Sequence, residues 1–345
     1  MLELPFDCLL QIMLMSAPMD VIQFIQYTAK AWHEAANSST IWKDISVKTL
    51  QNKSFQGFLM SHGRHMKKLR VTSLRLSRNA TFQLRFHCTQ LLELDLTSCY
   101  SDSLVDEKFC FLIRKIKLTS LLLPNESKVT NLGFQYLCSM SQLQSLQMRG
   151  NHLTTDFSSI KKMTSLKNLD LCACVYVDNR LCEWIAGIAL KSLNLSYCYQ
   201  VNMNGFETFF QQNHKDLETF RFHNINITPD FVCNTLANKS VLKSLSLNAL
   251  SVNQDLYRSL SSMKHVKDLS VVGCGKIEDF RVIRLQALEH FLICRTSFDT
   301  VGKKGLLEFV KKNTAVRVHL YDAYHLQHAD VRELKKHNNI FIEYS

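Results

Sequence analysis

From Val71 onward, apolar side chains return in the order apolar-x-x-apolar-x-apolar about every 20 to 27 residues. The copies read Val71-Leu74-Leu76, Leu91-Leu94-Leu96, Leu118-Leu121-Leu123, Leu143-Leu146-Met148, Leu166-Leu169-Leu171 and Leu190-Leu193-Leu195. They continue through Leu217-Phe220-Phe222, Leu242-Leu245-Leu247, Val266-Leu269-Val271, Leu288-Phe291-Ile293 and a degraded Ala315-Val318-Leu320. These eleven copies have a mean period of roughly 24 residues. Alternate side chains of a strand face opposite sides, so the second and third apolar residues of a copy enter the core and their neighbours face out. The residues that follow must climb back to the start of the next parallel strand, usually through a helix. One copy cannot bury its own apolar face, so neighbours must stack. The pattern predicts an α/β solenoid with parallel strands on its concave face and helices on its convex face.

Four copies place a cysteine three residues after the last apolar position: Cys99, Cys174, Cys198 and Cys274. The stretches Cys174-Val-Tyr-Val-Asp178 and Cys198-Tyr-Gln-Val-Asn202 resemble the cysteine-containing subtype of leucine-rich repeat, and Cys274-Gly-Lys-Ile-Glu278 is close to it. A small apolar thiol suits a buried corner, so these cysteines are expected to be structural.

The segment before the repeats has another grammar. Pro5 suits a first helical turn, and Leu9, Ile12 and Met13 share a helical face. Pro18 breaks the run, and Asp20 can cap a second helix. Trp32 and Trp42 flank the polar turn Asn37-Ser38-Ser39-Thr40. So short a unit does not bury this many large side chains by itself, which leaves a cap for the solenoid or a partner chain. The residues resemble an F-box. The match runs through Leu4-Pro5, Leu9-Leu10-x-Ile12, the Pro-x-Asp-Val run at 18–21, Ala29-Lys30-Ala31-Trp32 and the closing Ile41-Trp42-Lys43, with Thr28 where the pattern is usually aliphatic.

An F-box followed by cysteine-type repeats is similar to the F-box/leucine-rich-repeat substrate receptors of Skp–cullin–F-box ubiquitin ligases. That resemblance implies an F-box at residues 1–45, a linker helix or connector at 46–65, and a repeat domain at 66–345 of about eleven copies with a C-terminal cap. The cap is expected as a helix over 326–338 and a strand over Ile340–Tyr344. The resemblance also implies docking on the Skp adaptor, and through it a cullin, by Leu4, Pro5, Leu9, Ile12, Val21, Trp32 and Trp42. A protein substrate is expected on the strand face, with Arg149, Asp170, Asn194, Arg221, His223, Asn248, His319 and Tyr321 as candidates. The alternative is a leucine-rich-repeat interaction scaffold with no ligase role.

Charge and composition narrow the partners. The net charge of +11 raises nucleic acid as a ligand. The repeat register, however, puts Arg75, Arg149, Arg221 and Arg317 on outward strand positions against Glu93, Asp95, Asp170 and Asp268. The surplus sits in doublets such as Lys67-Lys68, Lys161-Lys162 and Lys311-Lys312, expected on return segments, so no nucleic-acid partner is predicted. Early copies are acidic and later ones basic (Arg221, His223, Arg317, His319), which suggests an acidic or phosphorylated partner segment near the C-terminal copies.

The twelve cysteines form no C-x-x-C pair and no zinc spacing, which predicts reduced thiols in the cytoplasm or nucleus. Asn79, Asn125 and Asn194 open N-x-S/T matches that would suit a secreted chain, but the start Met1-Leu-Glu-Leu-Pro-Phe-Asp7 does not read as a signal peptide. No run is apolar and long enough for a membrane span. Phosphate-loop, nucleophile-elbow and zinc-protease motifs are absent, and ten glycines leave little room for phosphate-cradling loops. His62-x-x-His65 and His325-x-x-His328 have metal-pair spacing but no third ligand nearby. The chain is expected to be a binding protein rather than an enzyme, with no cofactor and no metal.

Overall fold

A computed structural model describes residues 40–48, 52–100, 102, 105–212, 214–223, 225, 228–236, 241–248, 260–261, 263–273, 285–295, 298, 300–322 and 326–343. The chain divides into two compact units, 1–166 and 167–345. Leu4, Pro5, Leu9, Ile12, Val21 and Trp32 lie outside the described residues, as do Cys274 and His325.

The first unit carries five parallel strands: β1 (Asp44–Lys48), β2 (Lys68–Thr72), β3 (Glu93–Ser98), β4 (Ser120–Leu122) and β5 (Ser145–Gln147). Each pairs with the next in a register that aligns Ile45, Leu69, Leu94, Leu121 and Leu146. Helices α1 (Asn52–His62), α2 (Arg78–His87), α3 (Glu107–Ile113) and α4 (Asn131–Cys138), then a 3-10 turn at Ser158–Lys162, make the returns.

The second unit carries β6 (Asn168–Asp170), β7 (Ser192–Asn194), β8 (Thr219–Arg221), β9 (Ser244–Asn248), β10 (Asp268–Val272), β11 (His290–Cys294), β12 (Arg317–Tyr321) and β13 (Ile340–Glu343). Its register aligns Leu169, Leu193, Phe220, Leu245, Leu269, Phe291, Val318 and Ile340. Its described helices are α5 (Asn179–Ile185), α6 (Met203–Gln211), α7 (Thr300–Lys312) and α8 (His328–Leu334). A short turn at Pro229–Phe231 runs into a π turn at Val232–Leu236. From Leu94 to Leu320 the second and third apolar residue of each copy is buried, as the alternation requires. The final strand and the helix before it fall within the expected 326–344 cap.

Two features at the N-terminal end differ from expectation. The first copy is registered five residues earlier, as Met66-Leu69-Val71, and a further copy precedes it as Trp42-Ile45-Val47. Val71-Leu74-Leu76 satisfies the same template, and all three are buried, so the pattern alone is degenerate there. Ser73 breaks the ambiguity. It sits in the left-handed region at φ 53° and ends β2, so Leu74 and Leu76 belong to the ascending turn. Within 46–65, expected as a linker helix or connector, the described residues are the end of β1, the helix α1 and a 3-10 turn at Gly63–His65.

The left-handed step recurs two residues after the last apolar position, at Gly150, Ala173, Tyr197, Gly273, Arg295 and Asp322, and three residues after it at Glu126. It costs a non-glycine residue roughly 1–2 kcal/mol. In return the amide is aimed at the next strand: Ala173 donates to the Ser196 carbonyl at 2.8 Å and Tyr197 to that of His223 at 2.7 Å.

In three copies the corner residue three positions after the last apolar residue ties a copy to the one before. Cys198 Sγ donates to the Leu171 carbonyl at 3.1 Å, and Cys99 Sγ to that of Val71 at 3.4 Å. Burial pushes the Cys99 thiol up to about 12 and raises that of Cys198 further, so both stay protonated and structural. In the copy ending at Met148 this corner is Asn151, whose amide was not singled out by the cysteine pattern. It is fully buried. Its Nδ2 donates to the Ser127 and Val129 carbonyls, both at 2.9 Å, while its Oδ1 accepts from the amides of Leu153 and Thr154 at 3.2 and 2.8 Å.

Trp42 corrects one assignment. Its indole is fully buried, with the His62 ring stacked at 3.9 Å and the Phe58 ring edge-on at 5.8 Å. It therefore packs inside the first repeat instead of presenting an anchor to an adaptor. Burial, helped by His65 and Arg64, drives the His62 pKa down from 6.5 to about 4. Unfolding frees this imidazole to bind a proton, so the stability it leaves intact above pH 6.5 is lost as the pH falls from 6.5 towards 4. Urea midpoints at pH 7 and pH 4.5 should differ more for the wild type than for His62→Phe. Equal pH dependence in the two proteins would contradict this environment for His62.

Candidate interaction surface on the strand faces

The residues between the buried strand positions form the exposed face of each sheet. In the first unit the charges on this face neutralise one another. Lys68 and Glu93 stand in register and pair at 2.9 Å; Arg70 and Asp95 do the same, also at 2.9 Å. The acidic character expected of the early copies is thus cancelled by bases one strand away. Those bases were missed because the first copy was registered too late. Arg75, expected on this face, lies beyond β2 and pairs with Asp102 at 2.7 Å. A depression of about 310 Å³ lies over these strands, lined by Asp44, Ser46, Lys68, Arg70, Glu93 and Asp95 among others. Arg149, just past β5, is half-buried in this unit.

The second unit differs. Asp170 and Asn194 stand in register, and Asn194 Nδ2 donates to Asp170 Oδ2 at 3.0 Å. Asn194 is only 6% exposed, so it serves the sheet and offers no sequon for modification. Arg221, His223, His319 and Tyr321, four of the expected substrate residues, line one depression of about 590 Å³ over β8 to β12. Asn248 closes β9 opposite Val272. Ser244, Ser246, Asp268, Ser270, His290 and Leu292 also line it, over the core residues Leu245 and Leu269; of these six the sequence pattern had singled out only Asp268. All six sit at outward positions, so the register contained them. Small serines carry no charge signal, yet here they make the floor low.

The electrostatics of this trough are open. Arg221, which lines it, and Arg317, on β12 outside the lining, are exposed, and neither forms an ion pair with a described residue. Other bases at these strands are engaged: Lys243 pairs with Glu218 at 2.9 Å and Lys267 with Glu289 at 2.6 Å. His223 Nε2 contacts the Ser246 hydroxyl, and its backbone amide donates to Ser196 Oγ at 2.9 Å. Burial first, and then the Arg221 charge, lowers the pKa of His223, which favours the neutral ring. The His319 ring stacks on Phe341 at 4.8 Å, making an aromatic wall at the far side. Ser270 Oγ is shielded from solvent and has no hydrogen-bond partner among the described residues.

Of the two histidine pairs with metal spacing, His62 and His65 are described and His325 lies outside the described residues. His62 is held in its stack and His65 Nε2 accepts from Arg64 Nε at 2.9 Å. Among the described residues there is no group of three potential metal ligands, and no described helix is long and apolar enough to cross a membrane.

One parallel strand per copy, a buried apolar pair in each, and helical or turn returns define a leucine-rich-repeat fold. Two solved structures of this kind are similar to the chain. An internalin (inlF) from Listeria monocytogenes aligns with a TM-score of 0.47 and 14% identity, covering 84% of this chain and 93% of its own. The leucine-rich-repeat ectodomain of the Arabidopsis receptor kinase HAESA, solved with a peptide hormone, aligns with a TM-score of 0.42 and 14% identity, covering 79% of this chain and 44% of its own. No family model and no curated protein matches the chain. The class therefore rests on the chain's own repeat and strands.

Proposed function

We propose that this chain is the substrate-recognition subunit of a Skp–cullin–F-box ubiquitin ligase, working in the cytoplasm or nucleus. Residues 2–45 would dock the Skp adaptor through Leu4, Pro5, Leu9, Ile12, Val21 and Trp32, and the strand face would hold the protein to be modified. The observation that carries this reading is the order and spacing of the F-box-like elements directly ahead of the repeats. The closing element of the match, Ile41-Trp42-Lys43, is followed directly by β1 at Asp44. An exposed strand face with charged and aromatic side chains, and no catalytic constellation in the sequence, suits a positioning role. Holding a substrate beside a charged ubiquitin carrier makes a rare encounter effectively intramolecular.

The test is co-expression of the full chain with the Skp adaptor, followed by gel filtration. The wild type should co-elute with the adaptor. Pro5→Ala combined with Leu9→Ala should weaken the complex by about tenfold or more, since a few aliphatic and aromatic anchors dominate such interfaces. Thermal unfolding of the repeats should be unchanged. Undiminished co-elution of the double variant would contradict the proposed docking residues. A well-folded wild type that binds no adaptor would leave a leucine-rich-repeat interaction scaffold.

A further inference from the structure

The second unit presents the same pair of side chains twice on one sheet face. Arg221-x-His223 stands at β8 and Arg317-x-His319 on β12. On β12 side chains two apart point the same way, so His319 lies beside Arg317 on the exposed face. His223 follows the end of β8 and is half-buried, and it lines the same depression as Arg221. The register places three strands, β9, β10 and β11, between the two pairs. At a strand spacing of 4.7–4.9 Å the two guanidinium groups are anchored about 20 Å apart. The floor between them is low because β9 and β10 offer Ser244, Ser246 and Ser270. Asp268, the one carboxylate among the described residues lining the trough, is on the middle strand, two strands from each arginine.

We infer that the exposed strand face around this trough binds an extended, doubly phosphorylated peptide segment, with one phosphate at Arg221 and His223 and the other at the β12 end, where His319 lines the trough and Arg317 stands exposed two residues before it on the same strand. The inference rests on the strand face being the substrate face and specifies its ligand. Two guanidinium groups that form no ion pair with a described residue stand at the two ends and suit two anions, and bidentate pairing with arginine suits phosphate. An imidazole beside each arginine, with serine hydroxyls nearby, matches a group with three terminal acceptor oxygens better than a two-oxygen carboxylate. Asp268 repels an anion at the centre and so fixes the pattern as anion, neutral or basic middle, anion. At roughly 3.3 Å per residue, a span of about 20 Å is about six residues of extended chain.

The test is fluorescence anisotropy of the full chain with labelled peptides of one Ser/Ala/Gly sequence. One carries phosphoserines six residues apart, and the others carry glutamates at those sites, serines at those sites, phosphoserines two residues apart, or a third phosphoserine in the middle. The six-spaced bisphosphopeptide should bind at least about tenfold more tightly than the serine, glutamate and two-spaced peptides, because both subsites must be filled at once. The added central phosphate should weaken binding. Arg221→Ala and Arg317→Ala should each reduce affinity about tenfold. Equal binding of all peptides, equal binding by glutamate, or indifference to both substitutions would overturn the inference. So would a six-nucleotide oligothymidine that binds as well with the same arginine dependence, since it would assign the trough to a nucleic-acid backbone. Adaptor co-elution is read on the same samples. If it fails while the peptide pattern holds, the ligase reading falls and the trough assignment stands.

Discussion

Asn151→Ala should destabilise the first unit by about 2–3 kcal/mol, because the buried Thr154 amide and Ser127 carbonyl lose their partner at roughly 1 kcal/mol or more each and the part-buried Leu153 amide adds less. The Val129 carbonyl keeps one bond, from Thr154 Oγ1 at 2.9 Å, and so adds less. Asn151→Asp should also fail, since a carboxylate accepts the two amides but cannot donate to the two carbonyls. Calorimetry should show the unfolding temperature lowered by about 4–12 °C for a unit of this size. A shift of a degree or two would mean that the amide is replaceable and that the corner does not bind one repeat to the next.

Trp42→Ala should cost about 3–5 kcal/mol, the usual range for removing a large buried aromatic ring. The indole is the first apolar residue of the first copy, and its loss also removes the surface on which His62 stacks and against which Phe58 packs. Trp42→Phe, which keeps much of the packing, should recover most of the stability. Urea unfolding distinguishes the two roles the residue has been given. A core residue changes the midpoint for the free chain, whereas an adaptor anchor would leave it unchanged and weaken only the complex. An unchanged midpoint would restore Trp42 to the adaptor surface.

Much of this architecture could be read from periodicity, because burial on one face of a strand leaves so regular a trace. Each copy from Leu91 to Leu320 has its two core residues where the template puts them. The N-terminal end was harder for two reasons. Trp42-Ile45-Val47 carries no leucine and overlaps the F-box-like closing residues, so a partner-binding assignment claimed a core position. Val71-Leu74-Leu76 is apolar at every template position, and only the left-handed Ser73 shows that the strand has already ended. That slip carried forward into the site. Lys68 and Arg70 were counted off the strand face, so Glu93 and Asp95 looked like free acids when each is paired.

The Asn151 corner was hidden because an amide can do there what a thiol does elsewhere, with more hydrogen bonds. In the second unit, the arginines and histidines of the trough were legible from their charge at outward positions. The serines that make it a trough were not, because what they contribute is missing volume, which no residue-type pattern reports. Asp170 and Asn194 were chosen on the same outward rule, but they satisfy each other across neighbouring strands and leave little for a ligand.

The central claim is that the first 45 residues are an adaptor-docking element attached to a substrate-binding repeat array. Hydrogen–deuterium exchange of the full chain, with and without the Skp adaptor, tests it most directly. The account predicts slowed exchange across residues 2–32 on adding adaptor, with the amides of β6 to β13 unchanged. Protection confined to the strands, or no protection in residues 2–32 at saturating adaptor, would contradict it.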